Sequence, residues 1–133
     1  MKRTSAPFYG CPLPYPTKKW RAKIVDVTDP DTAVVWVDRG DFDTSTWEIR
    51  IAYIDAVELT SGPADQRALA KEARRWFVEH AKGRWCYLTT EMDREKYGRL
   101  LGQIEWIGSD GQLWSWAGVV RAYGWEKPAP EGT

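Results

Sequence analysis

The chain has few of the residues on which the commonest catalytic and metal centres are built. Its 133 residues include one histidine, His80, and two cysteines, Cys11 and Cys86, which form no C-x-x-C pair. A thiol or imidazole centre for zinc is therefore not expected, and in a reducing compartment the cysteines should be two free thiols rather than a disulfide framework. No run approaches the roughly 18 consecutive apolar residues that a membrane span requires. Met1 to Gly10 carries basic residues with no apolar stretch behind them, so no secretory signal is expected. The location anticipated is cytoplasmic, with secretion of a processed form left open. No internal repeat is visible. Net charge is also absent, because 19 basic residues balance 19 acidic ones. Any polyanion must then be held by local charge and not by an overall field.

What is present is a chain the size of one domain, with 43% hydrophobic residues and nine tryptophans. Charge is unevenly spread. Lys2, Arg3, Lys18, Lys19, Arg21 and Lys23 make the start basic, whereas seven acids and one base lie between Asp26 and Glu48. Residues 1–17 contain Pro7, Pro12, Pro14 and Pro16 with no periodicity and read as a flexible arm. From Trp20 an alternating strand runs to the turn Thr28-Asp29-Pro30-Asp31, a second covers Thr32 to Val37, and a third includes Ile49, Ile51 and Tyr53. Thr60-Ser61-Gly62-Pro63 opens a helix, with Ser61 or Thr60 as cap, running to about Ala81 on an apolar face of Leu69, Ala73, Trp76, Phe77 and His80. Strands follow at Trp85 to Thr90 and Leu100 to Ile107, then a short helix within Trp114 to Gly124. The connections between the first three strands are too short for parallel crossovers. The fold class is therefore mainly β with helices: an OB-type five-stranded barrel in residues 18–127, with one long helix between strands 3 and 4, a short C-terminal helix, and a loose tail at 128–133.

Three segments carry candidate chemistry: Asp29-Pro30-Asp31-Thr32, the stretch from Arg50 to Asp55 and Glu58, and Arg99 ahead of the last strand. Carboxylate oxygens without histidine or thiol suit a hard cation. Calcium is preferred to magnesium because it accepts irregular geometry, backbone carbonyls and water. Two arginines beside such a cation suit a phosphoryl group, whose oxygens gain charge in the transition state. One tension is built in. Arg50 and Asp55 are five positions apart, so on a flat strand they would point to opposite faces, roughly 16 Å apart. A bend or bulge between Ile51 and Asp55 is therefore expected, helped by the small Ala52.

D-x-D-T at Asp29 to Thr32, I-R-I-A-Y-I-D-A-V-E at Ile49 to Glu58, and K-Y-G-R at Lys96 to Arg99 occur in this order, with the helix between the second and third. Together they resemble the staphylococcal nuclease (thermonuclease) family over about Trp20 to Tyr123. The resemblance implies a calcium-dependent phosphodiesterase that hydrolyses DNA and/or RNA to 3′-phosphate ends. It also implies roles by position. Asp31 and Asp55 would be carboxylate ligands of calcium, Ala56 would offer its backbone carbonyl, and Asp29 would be a nearby outer acid. Glu58 would position or deprotonate the attacking water, Arg50 and Arg99 would clamp the phosphate, and Lys96 and Tyr97 would touch a terminal or neighbouring phosphate. The chain departs from the pattern at Pro30, where the family usually has glycine, at Ala56-Val57, and after Tyr123. There Tyr123 and Trp125 are candidates to stack on a base. A monomer with no membrane partner is expected. The alternative from another class is a non-catalytic OB-type module that holds single-stranded nucleic acid or a protein.

Overall fold

The computed structural model describes residues 17–91 and 100–128. Strands β1 (Thr17–Asp29), β2 (Thr32–Gly40) and β3 (Asp43–Ile51) form a meander and are followed by the helix α1 (Ala64–His80). Then come β4 (Trp85–Glu91), β5 (Leu100–Ile107), β6 (Leu113–Ser115) and the short helix α2 (Trp116–Ala122). The strand order is β3-β2-β1-β4-β5-β6, with all these neighbours antiparallel. A parallel pairing of β3 with β5, Ile49 opposite Leu100 to Ile51 opposite Gly102, closes five strands into a ring.

The ring depends on the length of β1. Its first half pairs with β4, from Lys18 opposite Thr90 to Lys23 opposite Trp85, and its second half runs on beside β2 as far as Asp29 opposite Thr32. A register shift between Ile24 and Asp26 marks a bulge, which adds bend and twist where the strand leaves one partner for the other. Closure also needs a residue without a side chain. A Cβ on Gly102 would lie 2.7 Å from the Thr89 carbonyl oxygen, so β5 could not sit this close to β4 with any other residue there.

Alternation fills the interior: Ala22 and Ile24 of β1, Ala33, Val35 and Val37 of β2, and Ile49 and Ile51 of β3 are all fully buried. The helix α1 closes one side of this core with Ala70, Ala73 and Phe77. Leu69, expected on that face, is exposed: Ala73 and Phe77 are buried as expected, but in the first turns it is Ala70 that meets the core. The alanines let the helix approach, and the Phe77 ring stacks on Trp116 of α2 at 4.0 Å between centroids and 6° between planes.

Two local expectations fail. Pro63 is the N-cap of α1 and no side chain caps it. Ser61, expected as the cap, instead donates its hydroxyl to Glu58. The segment before α2 is not helical at Trp114: Leu113 to Ser115 is a sixth strand paired with β5, with Trp114 opposite Trp106 and their rings stacked 6.4 Å apart. The helix starts only after Ser115, whose hydroxyl accepts a hydrogen bond from the Gly118 N–H at 3.2 Å.

Candidate active site

The β1–β2 turn is fixed from below by the core. The buried indole N–H of Trp116 donates to the Pro30 carbonyl at 2.7 Å, and the N–H of Ile51 at the end of β3 donates to the Asp31 carbonyl at 2.8 Å. Proline at position 30 costs the turn one N–H, but it is the carbonyl that is used. Asp31 is only 7% exposed. Its carboxylate accepts the Thr32 hydroxyl at 3.1 Å and lies 3.4 Å from Nη1 of Arg50. Thr32 and Arg50 are register partners on β2 and β3, so sheet pairing itself brings the guanidinium to the acid.

Strand β3 then bends, as the five-residue spacing of Arg50 and Asp55 predicts. It ends at Ile51, and Tyr53 takes a left-handed conformation with φ +66°, unusual for a residue with a side chain. Such a turn survives only if its backbone groups are satisfied. The N–H of Ala52 donates to Gly102 O at 2.9 Å, and Gln103 Nε2 donates to Ala52 O at 3.3 Å. Arg50 Nη1 donates to the Ile51 and Ile54 carbonyls at 2.7 and 3.1 Å, and Arg121 Nη2 donates to Tyr53 O at 2.5 Å. Arg50 is thus both a candidate phosphate-binding group and the clip that holds the bend.

Beyond the bend the chain pairs with the segment after α2. Val57 N–H donates to Trp125 O at 2.9 Å and Lys127 N–H to Asp55 O at 2.8 Å, bracketing a bridge between Ala56 and Glu126. This pairing delivers Lys127 to the acids: its Nζ lies 2.7 Å from Glu58 Oε2 and 3.5 Å from Asp55 Oδ1. Glu58 is held below the usual carboxylate range, chiefly by the hydrogen bond from Lys127, then by that from Ser61, with Arg50 acting the same way through space. Asp29 is shifted the other way. Burial raises its carboxyl above the usual range, the Asp31 and Glu58 charges add to this, and the Leu59 N–H and Arg74 oppose it. Asp29 thus feels the charges of Asp31 and Glu58, and Arg50 those of Asp31 and Glu58, at one end of the ring, although they come from separate segments.

The remaining expected groups fall out as follows. Arg99, Lys96 and Tyr97 lie outside the described residues. Asp55 is paired with Lys127 and largely exposed. Ala56 is fully buried, and the two hydrogen bonds of its bridge belong to its neighbours, not to its own N–H and C=O. Among the described residues no three carboxylate, histidine or cysteine side chains lie close enough to form a metal cluster. The donor types of Asp31 and Asp55, all oxygen, fit a hard cation such as calcium. Lys127 and Arg50 are the cations that face these acids here.

Trp125 cannot serve as an open stacking platform. It is 3% exposed and packs 6.0 Å from Phe77 and 5.1 Å from Tyr123, inside the aromatic core. Tyr123 remains half-exposed against Trp76. His80 stacks on Trp76 at 4.2 Å and its Nδ1 lies 2.9 Å from that residue's carbonyl, a packing role. Cys86 is buried, which pushes its thiol up to about 12 and leaves it inert. Lys127, Ser61 and Arg121 went unforeseen as site residues. A lone lysine before Pro128 carries no sequence signal for this role, and only the pairing of residues 125–127 with 55–57 reveals it.

The class of protein so described is an OB-like ring of five strands with acids and an arginine gathered at one end. No known family model matches the chain, and no curated protein matches it in sequence.

Proposed function

We propose that the chain is a calcium-dependent phosphodiesterase of the staphylococcal nuclease type, hydrolysing DNA and/or RNA to 3′-phosphate ends. The observation that carries this reading is the contact of Arg50 with the buried Asp31, in a cluster that also feels Glu58 and Asp29. Every contact of Arg50 found here uses Nη1, so Nε and Nη2 have no partner among the described residues and form an edge suited to two phosphate oxygens. Glu58 is stabilised in its charged form, which makes it a firm acceptor for a water and a weak proton acceptor. Its part is to aim the water in line with the scissile bond more than to take the proton early. Asp31 and Asp55 would hold calcium, which supplies a fixed double charge beside the phosphate. Arg99 joins the clamp by its place in K-Y-G-R.

The test is incubation with single-stranded DNA in calcium and in excess chelator. Cleavage in calcium alone, leaving 3′-phosphate ends, supports the enzyme. Intact DNA under both conditions sinks it.

A second reading has a specific observation behind it. Lys127 already neutralises Asp55 and Glu58, as would suit a non-catalytic OB-type module that binds single-stranded nucleic acid or a protein. Retention of the strand without cleavage in either solution selects that reading.

A further inference from the structure

The outer face of β1, β2 and β4 carries rings and cations in register. Lys23 is opposite Trp36 on one side and Trp85 on the other, and Arg21 is opposite Tyr87. Trp36 meets Trp85 edge-on at 5.8 Å, the Arg21 guanidinium carbon lies 4.8 Å from the centre of the Trp85 ring, and Lys23 Nζ lies 6.0 Å from it. Trp85 is 44% exposed and Tyr87 60% exposed. They help line an open cleft of about 740 Å³ with Arg21, Lys82, Arg84 and Ile107. The face lies away from the candidate active site, since Lys23 precedes Asp29 by six residues, about 20 Å of strand.

Large rings left in water cost free energy, and an exposed cluster of them marks a binding surface. The charge identifies the partner. Lys19 and Lys23 stand beside Arg21 at alternate positions of β1, and the cleft is lined by Arg21, Lys82 and Arg84 with no acid among the described residues; the acids elsewhere on the face are Asp26 and Glu48 opposite Val34, Asp38 opposite Arg21, which accepts the Gly40 N–H, and Glu105 opposite Tyr87. Lys82 is partly neutralised by Asp26 at 3.7 Å. Trp, Tyr and Arg suit a protein interface as well, but lysines are depleted from such interfaces, so Lys19 and Lys23 beside the rings tip the balance toward a polyanion. A duplex would meet the cations but hide its bases from the rings. A single strand uses both, with bases on the rings and phosphates on the cations.

We propose that this face binds single-stranded nucleic acid, with bases stacked on Trp85 and Tyr87 and phosphates held by Arg21, Lys23 and Arg84. The inference goes beyond hydrolysis: the face holds a strand whether or not the ring end cuts it.

The experiment is a fluorescence-anisotropy titration of labelled oligothymidylate with the full chain in excess chelator. Two double variants are compared with the parent, Trp85→Ala with Tyr87→Ala, and Arg21→Gln with Arg84→Gln, each checked for native circular dichroism. Loss of the two rings should weaken binding by about 30-fold or more. Loss of the two arginines should lower the slope of log affinity against log salt by about 1.4. The arginine pair leaves the rings in place, so the proposal stays open to refutation even if the ring variant misfolds. Unchanged affinity in every folded variant overturns it, as does equal displacement by duplex DNA or inorganic polyphosphate. A parent chain with no affinity for the oligonucleotide overturns it as well, and leaves the face to a protein.

Discussion

The two charged regions of this molecule are built in opposite ways. On the outer face of β1, β2 and β4 the cations sit beside rings because neighbouring strands are in register, and alternation alone puts Arg21, Lys23, Trp36, Trp85 and Tyr87 on one side. At the ring end, Asp31, Arg50, Glu58 and Lys127 converge because a turn, a bend and a late segment are each fastened by backbone hydrogen bonds. The first arrangement tolerates change, since each side chain stands on its own strand position. The second does not, since Arg50 and Trp116 hold the backbone that places the others. Substitutions at the ring end should therefore couple to one another and to stability, while those on the outer face should couple only through the ring and cation contacts they share at Trp85, with little cost to the fold.

The largest expected effect is on catalysis. Arg50→Ala or Arg99→Ala should lower the rate of calcium-dependent cleavage by about 10³- to 10⁵-fold, and Glu58→Gln by about 10²- to 10⁴-fold. Single-turnover cleavage of a labelled strand reads each. A near-normal rate in a folded variant removes that residue from the mechanism.

Next in size is the fold itself. Arg50→Ala strips partners from Asp31 and from the Ile51 and Ile54 carbonyls, so a loss of about 2 to 4 kcal/mol in urea unfolding is expected. The same change in an Asp31→Asn background should cost less, because no buried charge is then left unpaired. Additive costs would show that the pair is not a unit. Trp116→Phe keeps a ring beside Phe77 but leaves the Pro30 carbonyl without its 2.7 Å donor, for an expected loss of about 1 to 3 kcal/mol.

How much of this could be read from the sequence follows the same division. The ring, its long helix and its short one follow from alternation, turn residues and helix signals, and β2 and β5 begin where the pattern says. The bend after Ile51 was also legible, because Arg50 and Asp55 could not otherwise share a site. Local acid content does not by itself mark a site: Asp38 and Asp43 belong to the β2–β3 hairpin, where Asp38 accepts the Gly40 N–H and Asp43 pairs with Arg39. Trp125 looked like an open ring and is core, because the segment it lies on is drawn against Ala56 and Val57. Its neighbour Lys127 was illegible for the same reason. A pairing of 125–127 with 55–57 has no periodicity or spacing to announce it.

The smallest effect, and the one that separates the two regions most cleanly, concerns Lys127. Its Nζ stands between Asp55 and Glu58, where a bound cation would compete with it. Lys127→Gln should therefore tighten calcium binding a few-fold by calorimetry and leave oligonucleotide binding at the outer face unchanged. Both partners of the Lys127–Glu58 pair are more than a third exposed, so the stability lost should be under about 1 kcal/mol. Its pH dependence has a definite sign. Glu58 is lowered from 4.5, so the pair's stabilisation is present above that pH and fades as pH falls through the folded-state value. Lys127 is raised from 10.5, so the same stabilisation is complete below that pH and fades as pH rises through its own folded-state value. Parent and variant should thus differ by a constant amount in the neutral range and converge toward both extremes. A difference that grew as pH fell would mean that Lys127 acts on some other group, and that the acids at the ring end are free for a metal without displacing it.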